Sequence, residues 1–116
     1  MDCNIPNERI GVIGLGYVGL PLAALFASRY EVTGYDISTL RVGEINDLQD
    51  STREVSPEAL EAAFNNGMTC TGSKRYLREC TFYIVAVPTP VNSNHEPDLR
   101  HLASASRMLG EIISKG

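Results

Sequence analysis

The chain has 116 residues, of which 43% are hydrophobic and 21% are charged, the ordinary balance of a globular protein. This length suits one domain with a buried core. A net charge of −4 without basic runs argues against a duplex nucleic-acid surface, and no apolar run approaches the roughly 20 residues of a membrane span. Residues 1–10 lack the pattern of a secretion signal, so we expect a soluble, cytoplasmic protein.

The cysteines and histidines predict no metal or redox site. Cys3, Cys70 and Cys80 are odd in number and lack CxxC spacing, so we interpret them as free thiols. His95 and His101 are too isolated from other ligand types to hold a metal ion.

Residues 10–36 carry the main chemical signal of the chain. The β-branched run Arg9–Ile13 predicts a buried parallel strand, and three glycines follow it. Gly14 permits a tight turn, Gly16 removes a side chain where the backbone would approach a pyrophosphate, and Gly19 lets the next helix pack close to the strand. This order is typical of a dinucleotide-binding βαβ unit.

The helix after the glycines is predicted to bind phosphate at its N-terminus. Unpaired N–H groups of the first turn, including those of Tyr17 and Val18, would meet the anion with the helix dipole behind them. Pro21 fits this placement, because a proline in a first turn needs no N–H partner.

Asp36 ends the second predicted strand, Glu31–Tyr35, about twenty residues past the glycines. Its carboxylate could accept both ribose hydroxyls, whereas a 2′-phosphate would meet a like charge, so NAD is favoured over NADP. The alternative is a glycine turn that binds no cofactor.

The middle of the chain predicts two helices. Residues 38–48 place apolar side chains on a rough helical period with Ser38 as a cap. A second helix begins at Pro57 behind the cap Ser56, and Gly67 would end it.

The remaining elements complete an alternating α/β pattern. We predict a short strand at 68–71, a single turn at 74–78, a fourth strand at 81–87 buried on both faces, and a helix at 99–114 that Asp98 starts. The apolar side chains that this helix turns toward the sheet are Leu102, Met108, Leu109, Ile112 and Ile113.

The fold class is therefore α/β, a Rossmann-type doubly wound parallel sheet that is truncated after about four strands. In the strand order 3-2-1-4-5-6, a fifth strand would lie beside the fourth, and none follows it here. Since an exposed edge strand invites pairing, we expect a homodimer or higher oligomer, which a monomer in light scattering would contradict.

Thr89, in the proline-rich loop 88–97 at the carboxyl end of the fourth strand, is either a ligand contact or a loop residue that caps its own turn.

Three motifs in order, IGVIGLGYVGLPLA, GYDIS with Arg41-Val42, and YIVAVPTP with PDL, resemble the UDP-glucose/GDP-mannose dehydrogenase family. The resemblance implies that residues 1–116 form its NAD-binding Rossmann domain, without the central dimerisation and C-terminal sugar-nucleotide-binding domains. The segment DSTREVSPEAL looks like the branch that oxidises UDP-N-acetylhexosamines to uronic acids. Members of this family oxidise C6 of a nucleotide sugar with two NAD through a cysteine-linked thioester. The resemblance implies that the uronic acid product serves the synthesis of surface polysaccharide.

Carried over to this chain, the resemblance implies pyrophosphate contacts at Tyr17 and Val18, adenosine ribose contacts at Asp36 and Arg41, and a cofactor contact at Thr89. Arg41 could instead be a solvated helix residue that pairs with Asp36. Nothing matches the surroundings of the family's cysteine, so we expect no catalytic residue here and no sugar oxidation by these residues alone.

Two other functions stay open at this point. A short hydroxyacid dehydrogenase has similar opening glycines, although VPTP followed by PDL disfavours it. A nucleotide-binding module without chemistry is the third possibility, because catalytic residues are absent.

Overall fold

The computed structural model describes residues 8–87 and 100–115. Its strands are β1 (Arg9–Ile13), β2 (Glu31–Tyr35), β3 (Thr69–Thr71) and β4 (Phe82–Val85). Its α-helices are α1 (Gly19–Phe26), α2 (Thr39–Asn46), α3 (Pro57–Asn65) and α4 (Arg100–Lys115), and a 3-10 helix covers Lys74–Glu79. None of the helices in these two ranges is both long and apolar enough to cross a membrane.

The strands form one parallel sheet in the order β3-β2-β1-β4, which confirms the predicted Rossmann-type α/β class. Ile13 at the end of β1 pairs with Tyr35 of β2 and with Val85 of β4. The three strands therefore end at the same level. The segments that follow them meet along one edge of the sheet, where this class of fold binds ligands.

Both faces of the sheet are covered, as the doubly wound class requires. Val12 faces a core built with Leu20 of α1, Ile45 of α2 and Leu60 of α3. The next residue, Ile13, faces the opposite core, whose other members are Leu77, Cys80, Ala105 and Ile112. Because successive strand residues point to opposite faces, this short apolar strand serves both cores.

The predicted helix caps are confirmed. The Ser38 hydroxyl accepts the N–H of Arg41 at 3.2 Å, and the Ser56 hydroxyl accepts that of Ala59 at 3.1 Å. Pro57 is the first residue of α3, and Gly67 follows that helix with φ at +114°. Capping residues next to the helices set where α2 and α3 begin and where α3 ends, and for this reason the sequence alone predicted these positions.

The burial predicted for the fourth strand is wrong. Phe82 is 58% exposed, and the other residues of β4 are only partly buried. In the described residues β4 pairs with β1 alone, so its other side has no strand against it. The strand is also shorter than predicted.

Leu40 is one of the apolar residues in the helical period predicted for residues 38–48, but it is 79% exposed in the structure. Val42 and Ile45, three residues apart, bury the helix against the sheet. Leu40 lies two residues before Val42, and helix residues two apart do not share a face.

The last helix begins at Arg100, close to the predicted start, and buries Ile112 with Met108 and Leu109 partly buried. Asp98 and the side chains of Leu102 and Ile113 lie outside the described residues.

Gly19→Ala should destabilise the chain strongly, because a Cβ at Gly19 would lie 1.7 Å from the carbonyl oxygen of Gly14. We expect a loss of about 3 kcal/mol or more in the free energy of unfolding, measured by urea denaturation. Gly43→Ala is the matched control, since a Cβ there meets nothing within 4 Å. Alanine in the α2 interior should stabilise by about 0.5–1 kcal/mol. Equal effects of the two substitutions would contradict the steric account.

Candidate cofactor site

The glycine loop joins β1 to α1 and is held tightly at both ends. Gly14 has φ at +100°, and a Cβ on it would lie 2.7 Å from the carbonyl oxygen of Ala86. The equivalent atom on Gly19 would overlap the Gly14 carbonyl. Glycine is therefore required at both positions by the packing of the chain itself.

Gly16 is different from its two neighbours in the motif. A Cβ there would meet no atom within 4 Å, and its φ is outside the left-handed region. Neither packing among the described residues nor backbone conformation calls for glycine at this position. Close approach of an external ligand to the backbone would call for it, as the sequence predicted.

The two residues directly before α1 have unpaired backbone donors. Val18 is the N-cap of this helix, and its side chain provides no cap. The N–H groups of Tyr17 and Val18 donate to no group within the described ranges. The side chains of these two residues are exposed. This helix end can therefore accept an anion by backbone N–H groups and the helix dipole.

Asp36 follows β2 and binds the glycine loop directly. One carboxylate oxygen accepts the N–H of Leu15 at 3.0 Å, and the other accepts the N–H of Ser38 at 2.9 Å. Each oxygen keeps a further lone pair, so both can still accept a ribose hydroxyl. The acid is thus oriented toward the loop before any ligand binds.

Arg41 is not the solvated residue that the sequence left open as an alternative. Its side chain is 11% exposed, and its Nε donates to the carbonyl oxygen of Leu15 at 2.7 Å. Its Nη1 lies 2.9 Å from a carboxylate oxygen of Asp50 and 3.2 Å from one of Glu44. The acids that pair with it are therefore Asp50 and Glu44. Its Nη2 is buried and has no partner among the described residues.

Asp50 is the residue of this region that sequence reasoning missed. Its side chain is fully buried, and it accepts the N–H groups of Thr52, Glu54 and Val55 as well as the Thr52 hydroxyl. Burial raises its pKa, but the hydrogen bonds from Thr52, Val55 and Arg41 outweigh burial and lower the pKa to about 2. The available signal was the Asp-Ser-Thr sequence, since Asp with Thr two residues later is typical of an Asx turn.

A cavity of about 630 Å³ connects these groups. The lining comes from the glycine loop, the start of α2, the end of β4, the 3-10 helix and α4, and includes Gly14, Gly16, Asp36, Ile37, Arg41, Lys74, Ala86 and Met108. The structure thus brings four of the predicted site residues together in one space. Tyr17, Val18 and Gly19 lie beside it in the chain, and Thr89 lies outside the described residues.

The cysteines of the described ranges are buried free thiols. Burial raises the pKa of Cys70 to about 12 and also raises the pKa of Cys80. Both therefore stay protonated near neutral pH, which is unsuitable for a nucleophile. Residues 8–87 and 100–115 hold no cluster of three potential metal ligands.

Comparison with known proteins agrees with this geometry. Residues 8–116 match the model of the UDP-glucose/GDP-mannose dehydrogenase family, NAD binding domain. The chain belongs to this family. It is 38% identical over 112 residues to UDP-N-acetyl-D-glucosamine 6-dehydrogenase of Salmonella typhi, covering 97% of the chain and 26% of that protein. It is 39% identical over 113 residues to UDP-N-acetyl-D-mannosamine dehydrogenase of Escherichia coli K12, covering 92% of the chain and 26% of that protein.

A solved structure supports the same assignment. The ternary complex of GDP-mannose dehydrogenase from Pseudomonas aeruginosa aligns with a TM-score of 0.82 and 29% identity, over 91% of this chain and 25% of that one. The chain spans about a quarter of the length of the curated relatives it matches. What it provides is the NAD-binding domain of a family of NAD-dependent oxidoreductases.

Replacing Asp50 with asparagine should make stability less dependent on acid pH. The pKa of Asp50 is lowered by folding, so its stabilisation is complete above its ordinary value of 3.8 and is lost as pH falls toward about 2. The free-energy gap between the wild type and Asp50→Asn should shrink by about 2 kcal/mol over that range, roughly half of it by pH 3. Urea denaturation between pH 6 and pH 3 measures the gap, with exposed Asp47→Asn as the control for net charge. A constant gap would contradict the assigned pKa.

Proposed function

We propose that the described cavity holds the adenosine end of NAD. The N–H groups of Tyr17 and Val18 would bind the pyrophosphate, and the carboxylate of Asp36 would bind the adenosine ribose. The observation that carries this proposal is Gly16, whose missing side chain is explained by no contact among the described residues and which shares the cavity with Asp36. Arg41 would lie beside the ribose, and Thr89 is assigned to the cofactor by resemblance alone.

The charges of the site favour NAD over NADP. Asp36 presents a carboxylate where a 2′-phosphate would need to lie, and like charges at that distance repel. Among the described residues, the cations that line the cavity are Arg41 and Lys74. Arg41 is paired with Asp50 and Glu44, and Lys74 is paired with Glu111 at 3.1 Å. The site therefore offers hydrogen-bond acceptors to hydroxyls and little uncompensated positive charge to a phosphate.

We further propose that the chain serves a nucleotide-sugar 6-dehydrogenase that converts a UDP-N-acetylhexosamine to its uronic acid. The support is its similarity to two relatives whose names give UDP-N-acetylhexosamine substrates. Bound NAD would supply the hydride acceptor, once for the alcohol and once for the aldehyde. The residues of this chain would bind and orient it, since its described cysteines are buried and protonated.

The setting of this enzyme follows from the same proposal. Uronic acids of this type would serve surface polysaccharide, and the enzyme would act in the cytoplasm as a homodimer. The support is β4, which lies at the edge of the sheet in the described residues and exposes Phe82 there.

Asp36→Ala should weaken NAD binding by about tenfold or more, because it removes the acceptor for the ribose hydroxyls. Calorimetric titration of the chain with NAD and with NADP measures this, and the wild type should prefer NAD. Asp47→Ala, an exposed change of the same type at the residue that follows α2, is the control and should bind like the wild type. Because Asp36 also holds Leu15 and Ser38, thermal unfolding of each variant shows whether the fold survives. Unchanged NAD affinity in Asp36→Ala would refute the ribose assignment.

The proposed reaction predicts two NADH per sugar. The protein that carries this domain, expressed from its gene, should reduce two NAD for each UDP-N-acetylglucosamine or UDP-N-acetylmannosamine consumed, followed at 340 nm. Residues 1–116 alone should bind NAD and reduce none of it. One NADH per sugar, or turnover only with a small hydroxy acid, would refute a 6-dehydrogenase.

A further inference from the structure

A continuous set of hydrogen bonds connects Asp50 to the acid of the cofactor site. Asp50 binds the guanidinium of Arg41, whose Nε donates to the carbonyl of Leu15. The N–H of the same Leu15 donates to Asp36. Arg41 therefore binds the carbonyl of Leu15 and Asp36 binds its N–H. Asp50 in turn holds Arg41 in place.

The guanidinium is restrained by several bonds at once. Its Nε and Nη1 are both engaged, and two carboxylates, Asp50 and Glu44, contact Nη1. Glu44 is also tied down, since it accepts the hydroxyl of Ser51. Two acids around one buried cation more than compensate its charge. Arg41 lines the cavity, and protein groups engage its Nε and Nη1, whereas its buried Nη2 has no partner among the described residues.

The loop that carries Asp50 is held in an uncommon backbone conformation. Leu48 and Arg53, on either side of Asp50, have φ at 63° and 60°, a region that side chains other than glycine rarely adopt. Three backbone N–H groups of the loop converge on the Asp50 carboxylate. The loop therefore adopts an energetically unfavourable backbone conformation that places this carboxylate against Arg41.

We infer that Asp50 is a positioning residue that sets the choice between NAD and NADP through Arg41. By holding the guanidinium on the Leu15 carbonyl and compensating its charge, Asp50 prevents Arg41 from pairing with a 2′-phosphate beside Asp36. Without this partner, Arg41 could turn to the ribose and bind the phosphate by charge-assisted hydrogen bonds. The inference rests on the proposed binding of NAD in this cavity.

The experiment is a calorimetric comparison of NAD and NADP affinities in the wild type, Asp50→Asn, Arg41→Gln and the double variant. In Asp50→Asn, the ratio of the NADP Kd to the NAD Kd should fall about tenfold or more. In the Arg41→Gln background the same Asp50 substitution should leave the ratio unchanged, because the cation through which it acts is absent. Asp47→Asn, exposed and three residues away, is the control and should leave the ratio at the wild-type value.

A role for Asp50 in loop structure alone gives a different result. Loosening of the loop would weaken both nucleotides in equal proportion and leave the ratio unchanged, and that outcome overturns the inference. If Asp50→Asn lowers the ratio of the NADP Kd to the NAD Kd equally in the wild-type and Arg41→Gln backgrounds, that result also overturns the inference.

Glu44→Gln provides a second route if Asp50→Asn does not fold. It removes the other carboxylate of Arg41 and leaves the backbone contacts of Asp50 in place, so the ratio should fall in the same direction by about two- to fivefold. An unchanged ratio in Glu44→Gln would then overturn the inference. If the wild type binds neither nucleotide, the proposed function fails and this inference with it; wild-type NAD binding with an unchanged ratio rejects the inference alone.

Discussion

The close approach of α1 to the end of β1 is the constraint on which the rest of the site depends. A side chain at Gly19 would overlap the carbonyl of Gly14, and a side chain at Gly14 would overlap Ala86 after β4. The helix can start at the carboxyl edge of the sheet only because both atoms are missing. The N–H of Gly14 then donates to the carbonyl of Tyr35 at 2.8 Å, which ties the loop to the end of β2 and so to Asp36.

Electrostatics fixes what this scaffold can bind. The N-terminal end of α1 and the Asp36 carboxylate lie on neighbouring loops joined by the hydrogen bond from the Leu15 N–H to Asp36, so one ligand with a phosphate and a ribose could use both. The charges nearby are paired within the chain: Arg41 with Asp50 and Glu44, and Lys74 with Glu111. In the proposed binding mode, this arrangement of charges would favour hydroxyls over a second phosphate.

The buried Asp50–Arg41 pair joins the loop 48–55 to the glycine loop through the Leu15 carbonyl. A buried ion pair is favourable only when its remaining donors and acceptors are satisfied. The Asp50 carboxylate meets this condition with three backbone N–H groups and a hydroxyl, and its pKa is lowered to about 2, whereas Nη2 of Arg41 has no partner among the described residues. The loop 48–55, which the sequence presents as a polar connection, is therefore part of the support of the glycine loop.

The sequence by itself determined the features that depend on neighbouring residues. The strand Arg9–Ile13, the caps Ser38 and Ser56, and the position of Asp36 after β2 were all predicted, because turn, cap and strand chemistry act over a few residues. The alternation of strands and helices predicted the doubly wound class, and the observed order β3-β2-β1-β4 is the one expected for the first four strands of that class.

Only the tertiary structure decided which distant groups meet. Arg41 and Asp50 are joined across a loop whose backbone no propensity predicts, and Arg41 reaches Leu15, 26 residues earlier in the chain. The exposure of Phe82 was likewise hidden, because an apolar run looks the same whether its strand is central or at an edge. Side-chain pairing and burial of this kind depend on how the helices and strands pack in space, and the spacing of residues along the sequence does not specify this packing.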